Sequence, residues 1–488
     1  MAEESGRRPD RRWLWGLMAA HLLLATAYLV ILPLWGAVPD EPLHYSHIKY
    51  VGEFWRIPLI QNPFRDLREY YFTADPAGTA EYGVPYYWPL AVVFWLTRWL
   101  TVTAQQYVLR ACSVLFGLAV VWFAWRSFEL VFPRHPEYVV PATALVVVWP
   151  TRLEFSAVIY NDVGAIFYTS LAVLALVYAL MTDRPERGWL LAGLATGLAV
   201  LCKPSALILG PTALVMLIWQ WRDRRDPFVA LLQRAGLGLL GGLITCGWWF
   251  ARNLVVYGQL MPVEWGLGSR SWSELLATYP LAQVWWQVGY VVRGTWLSTW
   301  SQVGWLPDWA ALPMYVVLGL VSLLVIVGVV LGMRGGYRGL SQRARIAVVS
   351  FVLAAVVLYV ASVQWTLLHS FHNNEEGGKF AMAVLIGLVI AVVGVFRGLM
   401  GESWDRRALW AVVALLMLFN VLAMWNLLFV LNPRWAPEPP PLAGRKVEEL
   451  PSGSVAGIKH RYYVPGARQV HDYYGDQPQA DGDQHPAP

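Results

Sequence analysis

The sequence predicts an all-α, polytopic membrane protein, and three observations predict it. Of the 488 residues, 57% are apolar and only 14% charged, and the mean hydropathy is +0.45, values a water-soluble chain could carry only with a very large exposed apolar surface. Apolar runs of spanning length recur from the N-terminus to about residue 431 with no domain-sized polar gap, so one helical membrane unit over 13–431 is expected. Short loops dense in arginine alternate with longer loops poor in it, the asymmetry by which helices orient across a bilayer. Many of the 28 tryptophans fall near run ends, where indole prefers the headgroup region.

The elements follow in order. Residues 1–12 carry Arg7, Arg8, Arg11 and Arg12 and are assigned to the cytoplasm. The first apolar run, 13–35, shows no small-residue cleavage pattern and reads as an uncleaved span leading outward. A long first outer loop, 36–105, comes next. Within it Val84 to Leu100 is apolar but interrupted by Pro85, Pro89 and Arg98, leaving fewer apolar positions than the ~18 a crossing needs. Were it to cross, the turn Arg126 to Arg134 and every later basic loop would invert, so a juxtamembrane helix along the interface is expected.

Spans at 107–125, 138–155, 163–181, 188–202, 205–221, 235–256, 312–333, 346–368, 380–396 and 408–431 then alternate consistently, about 11 with the first. Arg222, Arg224, Arg225 and Arg234 share one inside loop, Arg334, Arg338, Arg343 and Arg345 a second, and Arg397, Arg406 and Arg407 a third. The outside features are the turn at Asn161 and Asp162, the break at Lys203-Pro204, the loop 258–311 and the turn His369 to Lys379. The loop 258–311, rich in Trp and Pro, reads as a lid or interfacial platform. The proline-rich tail 432–488 reads as a short, partly disordered extracytoplasmic segment.

Several functions are excluded. The net charge of +5 is spread as topology signal with no dense basic stripe, so nucleic acid is not an expected partner. There is no phosphate-binding Gly-x-x-x-x-Gly-Lys loop and no strand-turn-helix around a Gly-x-Gly-x-x-Gly, which argues against a nucleotide. Cys112, Cys202 and Cys246 lie in apolar runs without paired spacing and read as packing residues.

Chemistry is expected at the outer surface. Asp40 and Glu41 are adjacent carboxylates between Pro39 and Pro42, costly unless something uses or neutralises them. One serves as base and the other as an orienting group. His44, Tyr45, His47 and Lys49 follow closely, with His44, Tyr45 and His372 as expected substrate contacts. Asp162 opens a span and can cap its helix, and standing at the same surface it joins Asp40 and Glu41 as a catalytic candidate. Lys203, before a helix-ending proline, either snorkels or holds a phosphate as a point charge. Lys379 is a second candidate for that phosphate; Arg252 reads mainly as a snorkelling anchor and secondarily as a phosphate contact. No resident cofactor is expected. His369 or His372 with Asp40 offers donors suited to a divalent ion, yet no tight metal-binding spacing accompanies them.

Pro39-Asp40-Glu41-Pro42-Leu43-His44-Tyr45, continuing to Gly52-Glu53-Phe54-Trp55-Arg56-Ile57-Pro58, resembles the first outer loop of GT-C glycosyltransferases of the protein O-mannosyltransferase and aminoarabinose-transferase type. Tyr160-Asn161-Asp162 is similar to the family's second outer acidic position. Gly193 to Lys203 is similar to its lysine-terminated span, and Gly378-Lys379-Phe380 to its Gly-Arg-Tyr, with lysine in place of arginine. The order of four features covers most of 13–431. The resemblance implies a GT-C fold in the plasma (inner) membrane and an inverting transfer of sugar from a polyprenyl-phosphate donor. The acceptor would be a lipid, glycan or protein on the extracytoplasmic face, with Asp40 as general base. Some relatives carry a soluble domain larger than the tail here. A membrane transporter and a non-catalytic lipid-linked-glycan binding protein are the alternative readings.

Overall fold

The computed structural model describes residues 9–34, 41–58, 83–261, 271–300, 306–335, 340–369, 377–399, 404–431, 458–463 and 470–474. Asp40 and His372 lie outside the described residues, as do most of the first outer loop between 59 and 82 and the final residues of the tail.

The first helices form a cradle for the rest. Asp10 accepts from the Arg12 amide (2.9 Å) and starts α1, Arg11–Ile31. Two short helices follow, α2 (Glu41–Phe54) and α3 (Val84–Leu96), packed on each other. At 13 residues α3 is too short to cross, as the proline-interrupted sequence predicts. Thr101 accepts from the Ala104 amide and starts the 30-residue α4, Val102–Val131.

Prolines then punctuate the chain. The run 138–155 becomes two pieces, α5 (Val139–Val148) and α6 (Pro150–Phe155), because Pro150 has no amide to continue the ladder and Trp149 turns extended. Helices α7 (Asn161–Met181) and α8 (Pro185–Cys202) make an antiparallel hairpin, and the 3₁₀ turn Pro204–Ile208 leads into α9 (Leu209–Arg224). Helices α10 (Phe228–Gly242) and α11 (Trp248–Tyr257) are continuous through one π turn. A Cβ at Gly193 would strike the Gly238 carbonyl, and one at Gly241 the Leu190 carbonyl, so glycine lets α8 and α10 meet backbone to backbone.

The second half holds α12 (Trp272–Thr278), α13 (Leu281–Trp300), α14 (Asp308–Gly335), α15 (Gln342–His369), α16 (Leu385–Leu399, entered through the 3₁₀ segment Gly377–Val384) and α17 (Trp404–Asn426). Among the described residues two short strands, Ile458–Tyr463 and Val470–Tyr474, pair antiparallel in the tail.

Among the described residues nine helices are long and apolar enough to cross a membrane, against about 11 expected. Those below the mark are the run divided at Pro150 and α8, which opens with the polar Pro185-Glu186-Arg187. Burial sorts the spans: 72% of the central window is buried in Asn161–Met181 and in Gly378–Arg397, against 11% in Phe228–Tyr257. The first two are the bundle core and the last faces lipid.

Within the Trp-rich loop, read from the sequence as a lid or interfacial platform, α13 packs against neighbouring spans. Val284 and Val291 of α13 pack with Leu367 of α15, the Tyr359 hydroxyl donates to the Val292 carbonyl (2.7 Å), and Trp296 donates to Ser322 of α14 (3.2 Å). Helix α13 is therefore wedged between two spans. Its C-terminal end reaches Trp149, stacked on Trp300 with centroids 4.9 Å apart.

Candidate active site

Three helix ends bring chain segments far apart in sequence together. They are the start of α7, the end of α8 and the 3₁₀ segment before α16. Tyr160 is extended, so α7 starts at Asn161 and places Asp162 in its first turn, where a carboxylate is favoured by the free amides. Pro204 disfavours helical geometry in the residue before it, and Lys203 is accordingly extended at the end of α8. The two side chains meet. Lys203 Nζ donates to both Asp162 oxygens at 2.6 and 2.7 Å, and both residues are buried.

Lys379 joins from the other side. Its Nζ donates to the Tyr160 hydroxyl (3.2 Å), while the Phe380 ring lies 4.9 Å from Lys203 Nζ. Gly378 sets this arrangement: its amide donates to Ser298 Oγ (2.8 Å), and a Cβ there would collide with the Thr299 amide and the Thr295 carbonyl. The wedged α13 thus supports Lys379 from behind.

Helix α2 completes the cluster. His44 Nδ1 lies 2.7 Å from the Tyr87 hydroxyl, and its ring meets Tyr160 edge-on at 4.6 Å. His47 stacks flat on Tyr87 at 3.7 Å. Of the expected residues, the described structure therefore unites His44, Asp162, Lys203 and Lys379.

Glu41 is the first residue of α2 and fully buried. Arg110 grips it with Nε to Oε1 (2.8 Å) and Nη2 to Oε2 (2.5 Å), and the Ile159 amide donates to Oε1 (3.0 Å). Arg110 also donates to the carbonyls of Leu29, Leu32 and Pro33 at the end of α1. Glu41 is thus held on both carboxylate oxygens. Its carboxylate ties α2 to α4 and to the strand-like segment before α7.

Two expected residues do not join. The Tyr45 hydroxyl is spent on Gln105 Oε1 (2.8 Å) and its ring packs on Phe94, on a different side of α2 from His44. Arg252 lies over the Trp249 and Tyr257 rings and donates to Asn253, the geometry of an interfacial anchor. Asp40, covalently joined to Glu41, and His372 lie outside the described residues. Among the described residues no three His, Cys, Asp or Glu side chains converge as a metal cage. A cavity of about 370 Å³, lined by Arg134, His135, Met181 and Arg343 among others, lies at the other end of α7, roughly 30 Å from Asp162 by helix rise.

Sequence reasoning passed over Arg110 and Arg152. Arg152 is fully buried, bonds His21 Nδ1 (3.0 Å) and reaches the Gly117 carbonyl. The signal was present: a charged residue inside an apolar run is a functional candidate by default.

Lys49, one turn beyond Tyr45, carries a pH signature. Burial pulls its pKa from 10.5 down to about 8, with nearby Glu53 opposing. An unfolded lysine keeps its proton to about pH 10.4, so across about pH 8 to 10 the unfolded state binds more protons and stability rises with pH. The thermal midpoint of the wild type is expected to climb over that interval relative to Lys49→Met. A flat or falling difference contradicts the burial of a titrating lysine.

Comparisons with known proteins agree with this architecture. Residues 89–248 match the family model of dolichyl-phosphate-mannose-protein mannosyltransferases. Among solved structures, ArnT from Cupriavidus metallidurans bound to undecaprenyl phosphate is similar with a TM-score of 0.51 and 15% identity, covering 83% of this chain and 64% of that one. The oligosaccharyltransferase AglB from Archaeoglobus fulgidus, in complex with an inhibitory peptide and a dolichol-phosphate, gives a TM-score of 0.46 and 12% identity, covering 86% of this chain and 56% of that one. The chain thus spans less than two thirds of the length of either. No curated protein sequence matches it. The chain thus has the helical-bundle fold of ArnT, and the 160 residues that match the mannosyltransferase family model lie inside that bundle.

Proposed function

We propose that the protein is a glycosyltransferase that moves a sugar from a polyprenyl-phosphate carrier to an acceptor hydroxyl on the extracytoplasmic face, with inversion at the anomeric carbon. The observation that carries this reading is the cluster of Lys203, Lys379, Asp162 and Tyr160 beside the start of α2. The donor is a phosphodiester whose leaving group gains a second negative charge as its bond to the anomeric carbon breaks. Fixed cations at that phosphate stabilise the change. Asp162 holds Lys203 in place, and Lys379 supplies a point charge without the bidentate fork of an arginine.

Asp40 takes the acceptor proton while the acceptor oxygen attacks from the face opposite the phosphate. Glu41, locked by Arg110, holds the helix that begins one residue after Asp40. His44 is a substrate contact in this reading. Arg252 guides the lipid phosphate from the periphery, and His372 belongs to the acceptor side. The undecaprenyl phosphate bound by ArnT, a protein of the same fold, supports a polyprenyl-phosphate donor. Sidedness is supported by the arginines: Arg184, Arg222, Arg224, Arg343 and Arg345 lie at the helix ends opposite Asp162.

The test is a panel of radiolabelled polyprenyl-phosphate sugars incubated with purified protein. Donor cleavage or transfer is expected, and Asp40→Asn is expected to abolish it, by about 10²-fold or more, while retaining donor binding. A wild type that binds these lipids without turnover is a non-catalytic binding protein. Unchanged turnover in Asp40→Asn removes the assigned base.

A further inference from the structure

We infer that the cavity at the arginine-rich end of the bundle is a binding site for a phosphate-bearing anion, held between Arg134 and Arg343. It opens where α4 and α7 finish, beside the last turn of α9 and the first turn of α15. Its volume of about 370 Å³ falls within the range of small-molecule pockets. The lining divides by chemistry. Val131, Phe132, Met181 and Leu340 make an apolar part, while Arg134, His135 and Arg343 supply basic groups against a single lining carboxylate, Asp223.

The positive charges there are held in place but not neutralised. Arg134 is exposed and makes no hydrogen bond or ion pair with any described residue. Arg343 is fixed by Nη1 donating to the carbonyl of Met181, the last residue of α7 (2.8 Å). Its ion-pair partner, Asp183, is 3.3 Å away and 91% exposed, so solvent screens most of that attraction. From α9, Arg224 closes on the carbonyls of Thr182 and Asp183, and a second guanidinium crowds the same helix end. Helix α15 adds to the excess. Its first turn has no acid and carries Arg343 and Arg345, the reverse of what the free amides at a helix start favour. An anion in the cavity offsets this excess. A phosphate suits it because its oxygens can accept from both guanidiniums at once, leaving the apolar part to cover the stem that carries the phosphate. Basic pockets between spans recognise lipid headgroups by the same means. The site stands apart from the donor site, which lies at the opposite end of α7.

The experiment titrates full-length protein in detergent, at fixed ionic strength, with three probes: dioctanoylphosphatidylglycerol, dioctanoylglycerol, which lacks the phosphate, and inorganic phosphate. Saturable binding of a phosphate-bearing probe is expected, and none of dioctanoylglycerol at the same concentrations. Arg134→Gln changes an exposed position and removes one charged contact, so it is expected to weaken that binding about tenfold or more. Arg187→Gln is the control. Arg187 is exposed near the start of α8, on the same side of the bundle, and contributes only to the general field, so its loss is expected to change binding by no more than about twofold.

A preference for the lipid identifies a headgroup of the adjoining leaflet as the occupant, and equal affinity for inorganic phosphate identifies a soluble phosphate compound; either result supports the site. Absence of saturable binding overturns it, as does a loss in Arg187→Gln as large as that in Arg134→Gln. Binding that survives Arg134→Gln and disappears in Lys379→Met also overturns it, because the probe then sits at the donor site.

Discussion

Arg110→Met is expected to destabilise the protein by about 3–5 kcal/mol, the cost of stranding one partner of a buried ion pair. Three consequences add up in this one exchange. Glu41 keeps a single described donor, the Ile159 amide, for a carboxylate shielded from water. The carbonyls of Leu29, Leu32 and Pro33 lose the guanidinium that ends α1. Helix α2 loses its link to α4.

Thermal unfolding in detergent measures the loss, and a double variant tests the cause. Arg110→Met combined with Glu41→Leu removes both charges, so it is expected to be more stable than Arg110→Met alone. A double variant as damaged as the sum of the two singles would mean that the pair is not coupled. Turnover is expected to fall in both, because the helix after Asp40 is no longer held.

Gly378→Ala is expected to cost about 10²-fold in turnover, the scale on which misplacing a binding group by about 1 Å acts. The new methyl has no room: the Thr299 amide, the Thr295 carbonyl and the Ser298 backbone occupy its place. The backbone must retreat, the amide bond to Ser298 Oγ lengthens, and Lys379 moves away from Tyr160. Repulsion between backbone atoms is not relieved by a side-chain turn, so the fold also loses about 1–3 kcal/mol.

Gly289→Ala, on α13, the helix that Gly378 packs against, is the control. Nothing lies within 4 Å of its added Cβ, and alanine is the better helix former by about 0.5–1 kcal/mol, so activity is expected to be unchanged. If both variants behave alike, Gly378 is not a spacing device and α13 does not set Lys379.

The candidate residues were legible because each breaks a local rule. Asp40 and Glu41 are a repelling pair, Asp162 interrupts an apolar run at its start, and Lys203 stands before a proline. Each violation is visible within a few residues. Their pairings were not. Lys203 reads alone as a phosphate cation, yet it is first the partner of Asp162, 41 positions away. Arg110 meets Glu41 across 69 positions, and periodicity within a window carries no trace of that contact. Tyr45 and His44 are neighbours in sequence and equal as candidates. On a helix they point about 100° apart, and only His44 reaches Tyr160. Arg252 looks like any other boundary arginine until its aromatic neighbours are seen.

The loop 258–311 marks the limit most clearly. Its tryptophans predict an interfacial surface, and several remain exposed, Trp285 and Trp286 among them. The opposite face of α13 carries Val284, Val291, Gly294 and Ser298, small or apolar residues that fit between α14 and α15.

The sequence alone determined that the chain is a helical membrane protein, where most spans begin and end, and which end of the bundle bears the unusual polar residues. These follow from hydropathy, proline and charge, which act over one helix length and need no partner. Only the tertiary structure decided that Glu41 is an anchor, that Lys203 is chelated by Asp162, and that a tyrosine and a glycine position the second lysine. Those outcomes depend on helix ends meeting in space, and a meeting between segments dozens of residues apart is fixed by packing of the whole bundle.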